Sequence, residues 1–448
     1  MASRKTRSLS LIGGYGKMGI WILEFLSRNG LMEDISVRIT GPREEVGRRV
    51  AQRYGCKFST DNAEAAGSDF VVICAPLDLA PEVLEDIVPH LGSGTVVMDI
   101  CSVKTEICSR ARKLIGAGIQ YLSLHPMFGP SVKDLEGQVV ILVPVRGRRF
   151  LHRVEKFLNE HQARAITTTP SMHDYALGVV QCLTHFAYIT VGATLKDVDI
   201  DIKQSRSFSS PIYELMLDMI GRILSGNPAM YSEIQIHNPY SAEIEDIFLE
   251  NAGRLKAAVD AGDSRAFQRI MIEAGKHYDD LDSAFSKSSR AVSALYEEYL
   301  KIKASAGRRV ALRNEVTGAI HVGQIKGISG EHVTIGHGKR TKRLKVSNVS
   351  LLPDSESRSL RAEKFGTSQR DISLLFPVHA DPVAIADILE KCDDDLVSAS
   401  AIDEYRGEGI PDFLKSITFR LTIFGDLDVT SAEKGAKKML RSIGALER

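Results

Sequence analysis

Two short stretches carry residue types at spacings that can do chemistry. Leu124-His125-Pro126-Met127-Phe128-Gly129-Pro130 sets an imidazole on a short, stiff loop. Well before it, Gly13-Gly14-Tyr15-Gly16-Lys17-Met18-Gly19 is a glycine-rich turn of the dinucleotide-binding kind. A redox cofactor beside a histidine able to accept a proton is the minimum equipment for oxidising an alcohol.

The elements that must position these residues are legible around them. Ser8–Ile12 reads as a strand, and Gly14-x-Gly16-x-x-Gly19 opens a helical run, Ile20–Leu26. In that context Gly14 allows the tight turn and Gly16 lets the backbone approach a pyrophosphate. Gly19 lets the helix close on the strand, and free amides at the helix N-terminus bind the phosphates. Tyr15, Lys17 and Met18 within the turn belong to the same cofactor site, as does Pro76 after a later strand. The strand Ile35–Ile39 ends in Thr40-Gly41-Pro42-Arg43, without the acid that usually meets the ribose of NAD. Thr40 and Arg43 suit a 2′-phosphate better, so the cofactor is NADP or NAD, with NADP favoured. Glu44 or Glu45 could still bend back to a bare ribose. Phe70–Pro76 and Thr95–Ile100 are continuous apolar runs, as buried parallel strands are.

At 448 residues the chain is too long for one core. Lys plus Arg and Asp plus Glu are equal at 57 each, so no global charge argues for nucleic acid or an anionic membrane. No unbroken run of apolar residues is long enough to span a bilayer, and the N-terminus lacks a signal-peptide core, so a cytoplasmic protein is expected. Six cysteines show no CxxC pair or metal-ligand spacing, which predicts reduced, mostly buried thiols and no metal site.

From about residue 171 the apolar period becomes helical, over Tyr175–Leu195, Pro211–Ser225, Ala242–Ala261 and Ser264–Ala304. Arg265–Tyr299 reads as a long helix or a helical pair. His173-Asp174 starts this region, and Gln181 and His185 come next, so that one helical face could carry both histidines. Arg222 lies inside an otherwise apolar helix and needs an anionic partner, either Asp218 or Glu214 or a substrate carboxylate.

These marks, in this order, resemble the prephenate dehydrogenase family over roughly residues 8 to 300. The marks are Gly14–Gly19, Asp99-Ile100-Cys101-Ser102-Val103-Lys104, the His125 segment, His173-Asp174, Gln181-Cys182-Leu183-Thr184-His185-Phe186 and Met219-Ile220-Gly221-Arg222. The resemblance implies oxidative decarboxylation of prephenate to 4-hydroxyphenylpyruvate in tyrosine biosynthesis, with His125 as base. It implies that Ser102 hydrogen-bonds both His125 and the substrate hydroxyl, that Arg222 grips a carboxylate, and that Gln181 and His185 line the same pocket. It also implies a homodimer through the helical domain. Glu214 stands where some bacterial members carry a second arginine, which leaves the manner of carboxylate recognition open. Arogenate, differing only by an amino group on the side chain, is the close rival substrate. A different class of reading is an RNA-binding protein that keeps a dehydrogenase scaffold.

The expected architecture is a Rossmann-like doubly wound α/β domain over 1–170, then an all-helical substrate and dimerisation domain over 171–304. A small SH3-like β module is expected next, over 305–353, with a basic run at Gly338–Arg343 that reads as a solvated hairpin. A polar linker is expected over 354–369. Residues 370–448 read strand–helix–strand–strand–helix and resemble the ferredoxin-fold anticodon-binding domain, on Tyr405-Arg406-Gly407-Glu408-Gly409-Ile410-Pro411 and the strand after it. This part could bind tRNA, hold tyrosine as an effector or stabilise the assembly, and a regulatory or structural role is the more natural expectation, because no dense basic–aromatic surface is visible.

Overall fold

The computed structural model describes residues 7–447. The chain forms two compact units, Met1–Tyr278 and Asp279–Arg448. The first unit begins with β1 (Arg7–Ile12), α1 (Lys17–Arg28), β2 (Ile35–Thr40), α2 (Glu44–Tyr54), β3 (Lys57–Ser59), β4 (Phe70–Ile73) and α3 (Ala80–Ile87). It continues with β5 (Val96–Asp99), α4 (Thr105–Leu114), β6 (Gln120–Pro126), β7 (Val139–Arg146), α5 (Leu151–Glu160) and β8 (Arg164–Thr167).

These strands form one sheet in the order β3-β2-β1-β4-β5-β6-β7-β8, parallel except where β7 runs against β6. The central strands bury both faces, which explains their unbroken apolar sequence: Leu11, Val71, Ile73 and Val97 are fully enclosed. The chain leaves β1 toward β2 on one side and reaches β4 on the other. The crevice beyond the carboxyl ends of β1 and β4 is therefore a topological switch point, where such sheets bind ligands.

Helices succeed one another without a strand: α6 (Pro170–Leu177), a π-helical turn at Gly178–Leu183, α7 (Thr184–Asp197), α8 (Ile202–Arg206), α9 (Pro211–Leu224), α10 (Pro228–His237), α11 (Ser241–Asp260) and α12 (Ser264–Lys276). Five of their starts are set by side-chain caps, and at three of these, Thr169, Ser210 and Asn227, proline comes next in sequence. Large apolar side chains stay exposed here, including Val180, Ile236, Met271 and Ile272. The continuous helical segment Pro170–Asp197 is, by length and composition only, long and apolar enough to cross a membrane, although it holds His173, Asp174 and Gln181 and is no unbroken apolar run.

The second unit starts with α13 (Leu281–Ala304), whose Ile302 joins the core of β9 (Arg309–Asn314), β10 (Ile320–Ile328), β11 (His332–His337), β12 (Arg340–Lys345) and β13 (Val349–Leu351). This helix was expected with the helical domain. The five strands pair antiparallel in the order β12-β11-β10-β9-β13. The expected linker is instead α14 (Asp354–Phe365), which runs directly into β14 (Thr367–Pro377). Its polar sequence hides a buried face, because Arg361 pairs with Asp426 at 2.9 Å and Ser357 accepts the Ala311 amide. The chain ends with α15 (Pro382–Cys392), β15 (Leu396–Tyr405), β16 (Leu414–Phe424) and α16 (Val429–Ser442), the strands in antiparallel order β14-β16-β15.

Candidate active site

The glycine turn leaves β1 toward α1 at the switch point. Gly13, with φ +75°, takes the left-handed corner that the spacing assigns to Gly14, and a side chain there would strike the Cys74 carbonyl at 2.9 Å. Gly14 and Gly19 serve close packing: a Cβ on Gly14 would lie 2.6 Å from Ile39, and one on Gly19 would lie 2.5 Å from the Gly14 carbonyl oxygen. Gly16 differs, since a Cβ there would meet only the Gly13 carbonyl, at 3.2 Å. It also caps α1 with no side-chain hydrogen bond, so the first-turn amides of Lys17, Met18 and Gly19 remain free to bind an anion. This cradle fits a dinucleotide pyrophosphate. Pro76 is exposed in the segment after β4, beside the turn.

At the end of β2, Thr40 is buried and its hydroxyl donates to Asn62 at 2.8 Å, so it does not offer itself to a ribose phosphate as expected. Tyr15 is buried beneath Arg43: its hydroxyl accepts the Arg43 amide at 3.1 Å, and the guanidinium lies 4.9 Å over its ring. Glu44 is held by Arg48 at 2.7 Å.

His125 is the penultimate residue of β6, not part of a loop, and is 4% exposed. Because β6 runs parallel to β5, its carboxyl end shares the edge that holds the glycine turn. The loop after it is tied to α1, since the Trp21 indole donates to the Val132 carbonyl at 2.6 Å and packs 4.9 Å from Phe128.

Behind His125 runs a buried relay. Its Nδ1 lies 2.9 Å from Nε2 of His173, whose Nδ1 lies 2.7 Å from Oδ1 of Asp174. Asp174 also accepts the amides of Lys104 and Thr105 and the Thr105 hydroxyl. Burial disfavours its charge, but the bonds from His173, Thr105 and Lys104 outweigh burial and hold its pKa below the usual carboxylate value. An ionised Asp174 can only accept, so His173 donates from Nδ1 and presents a bare Nε2. His125 must then donate from Nδ1, and its own Nε2 keeps a free lone pair. The relay thus sets the tautomer of a base.

Charge works in the same direction. Burial, then the nearby Lys104 ammonium and His173, push the His125 pKa well below that of an ordinary histidine, so the ring is neutral at physiological pH. Lys104 is fully enclosed, pairs with Asp99 at 3.0 Å and donates to the Leu124 carbonyl at 2.6 Å. Tyr121 donates to the other oxygen of Asp99 at 2.7 Å.

The remaining expected residues are placed differently. Ser102, just past β5, makes no hydrogen bond to His125; the partner is His173, because Nδ1 faces α6. His185 packs edge-on against Tyr231 at 4.6 Å, and burial lowers its pKa. A π-helical turn at Gly178–Leu183 lies between it and His173. Buried Nδ1 of His185, Oε1 of Gln181 and Oε1 of Gln235 have no hydrogen-bond partner among the described residues. Gln235, which residue spacing does not single out, donates to the Cys182 carbonyl at 2.9 Å. Arg222 is exposed on α9 and makes no ion pair among the described residues. Its expected acidic partners, Glu214 and Asp218, are held by Arg206, the latter at 2.8 Å.

Two family models match: the nucleotide-binding domain of prephenate dehydrogenase over residues 29–167, and its dimerization domain over 169–273. The chain is 35% identical to a probable arogenate/prephenate dehydrogenase of Methanocaldococcus jannaschii over 98% of both chains. It is 29% identical to a 4-amino-4-deoxyprephenate dehydrogenase of Streptomyces pristinaespiralis, covering 59% of this chain and 88% of that one. The fold is similar to the crystal structure of prephenate dehydrogenase from Aquifex aeolicus with hydroxyphenyl propionate and NAD+, at TM-score 0.51 and 20% identity, covering 61% of this chain and 97% of that one.

Proposed function

The chain belongs to the prephenate dehydrogenase family, and from that premise we propose that it converts prephenate to 4-hydroxyphenylpyruvate and carbon dioxide with His125 as its base. The observation that carries this is the Asp174–His173–His125 relay, which leaves a neutral imidazole with a free Nε2 at the edge that holds the glycine turn. Gly14, Gly16 and Gly19, with the amides of Lys17 and Met18, would hold the cofactor, whose nicotinamide supplies a hydride acceptor when bound.

Nε2 of His125 takes the proton of the ring hydroxyl as the carbinol hydrogen leaves with its electron pair. The ring is then a dienone bearing a carboxylate on its quaternary carbon. Breaking that carbon–carbon bond releases carbon dioxide, and its electrons aromatise the ring and end on the phenolic oxygen. The proton on His125 is placed to return to that oxygen. Ser102, half-buried past β5, would orient the hydroxyl. Arg222, which has no acidic partner among the described residues, would bind a substrate carboxylate, with Gln181 and His185 lining the pocket. Assaying prephenate and arogenate, each with NAD and NADP, tests the reading. Turnover of prephenate is expected, and no oxidation of either substrate would overturn it.

Several finer features belong to the same reading. Arg43 stacked on Tyr15, with no acid at the tip of β2, supports a preference for NADP. The exposed apolar face of the helical region supports a homodimer, with the Pro170–Asp197 helix as subunit interface in a cytoplasmic enzyme rather than a membrane span. The order β14-α15-β15-β16-α16 supports the ferredoxin-like reading of the C-terminal part, which we take as a tyrosine effector domain. The five antiparallel strands before it support the SH3-like reading.

A further inference from the structure

We propose that the first unit carries a second ligand site, on the amino edge of its sheet, for a single-ring aromatic carboxylate. β1, β4, β5 and β6 begin at or beside Arg7, Phe70, Val96 and Gln120, all on the edge opposite the glycine turn. With Arg149, Phe150 and Arg153 at the start of α5, they line an open cleft of about 190 Å³. Drug-sized ligands fill roughly 300–1,000 Å³, so this space suits one ring with a short polar arm. A six-residue strand separates it by roughly 20 Å from the His125 edge, so it is not part of the reaction site.

The walls supply both halves of the recognition. Phe70 and Phe150 stand 5.4 Å apart with their planes inclined at 36°, which offers aromatic surface to a ring. The Phe150 backbone is fixed there, since its amide donates to the Gln120 side chain at 3.0 Å. Gly147 makes room for that side chain: at φ +78° a Cβ would lie 2.7 Å from Gln120. Three guanidiniums, those of Arg7, Arg149 and Arg153, line the cleft, and none makes an ion pair among the described residues. Arg7 lies 5.9 Å over the Phe70 ring, at the seam between the aromatic and cationic parts. The wall also contains Asp69, whose carboxylate accepts the Ser8 amide at 2.8 Å and the Ser8 hydroxyl at 2.9 Å. Arginine forks match a carboxylate with two parallel bonds, and the flanking rings select a ligand with a flat apolar body over a bare inorganic anion.

The site does not depend on the proposed reaction, so its test needs no turnover. Titration of the full chain with para-fluorobenzoate, monitored by fluorine NMR, is expected to show saturable binding. The double variant Arg149→Ala, Arg153→Ala is expected to bind at least about tenfold more weakly, the worth of a charge-assisted fork. Its kcat and KM should stay unchanged. An Arg222→Ala variant should bind the probe as the unaltered chain does. Equal binding by the double variant, no saturable binding at all, or loss of binding in Arg222→Ala would each overturn the site. Displacement of the probe by inorganic phosphate at the same concentration would overturn its aromatic specificity.

Discussion

His125 owes its chemistry to neighbours more than to its own type. Asp174 cannot donate, so the order of protons along the relay is fixed from the carboxylate outward, and Asp174→Asn should scramble it. Activity should fall by at least about tenfold, toward the ~10⁴ that a wrong tautomer costs a catalytic histidine. Cofactor affinity should not change. The depressed His125 pKa also sets two pH effects of defined sign. The acid limb of kcat/KM should lie below the ordinary histidine value of about 6.5. Unfolded His125 binds a proton at higher pH than folded His125, so its contribution to stability is complete above about pH 6.5 and is lost as pH falls toward the folded pKa. Urea midpoints measured across that window should decline on the acid side. Lys104→Met would strand the buried Asp99 carboxylate and should cost about 3–5 kcal/mol in the same experiment. His125 and the glycines could be read from residue type and spacing. The relay could not, because His173 is 48 positions away and its approach depends on how α6 packs.

At the level of elements, the strand–turn–helix around Gly13–Gly19 was legible because apolar runs and glycines report directly on backbone geometry. The division of labour among the glycines needed coordinates. It predicts a contrast between two substitutions. Gly19→Ala places a methyl 2.5 Å from the Gly14 carbonyl and should lower the melting temperature as well as cofactor affinity. Gly16→Ala places its methyl 3.2 Å from the Gly13 carbonyl, which a shift of a few tenths of an ångström relieves, so it should cost less stability than Gly19→Ala while weakening cofactor binding. Calorimetry and cofactor titration on the two variants separate these effects. α14 reads as a linker because its fully buried residues, Arg361 and Ser357, are polar, and Leu360 and Phe365, which pack on the core beside them, are too few to set a hydrophobic period. The π-turn at Gly178–Leu183 was equally hidden, since no residue type marks it.

For the whole molecule, composition and period change were enough to separate an α/β part, a helical part and a sheet-rich C-terminal part. The placement of α13 was not legible, as its sequence is helical in either unit; the burial of Ile302, the packing of Tyr299 and the Leu351 amide donated to Glu298 assign it. Ile236 and Met271 are 76% and 70% exposed in the single chain, more than isolated surface residues require. Sedimentation should therefore show a homodimer, and Met271→Glu with Ile236→Glu should shift it toward monomer. Unchanged sedimentation would place the interface elsewhere. The central claim is that one neutral imidazole removes the hydroxyl proton. Its most direct test is the turnover of prephenate by His125→Asn at saturating cofactor. A fall in kcat of about two to four orders of magnitude with cofactor affinity intact is the expected result, and turnover within a few-fold of the unaltered chain would contradict the account.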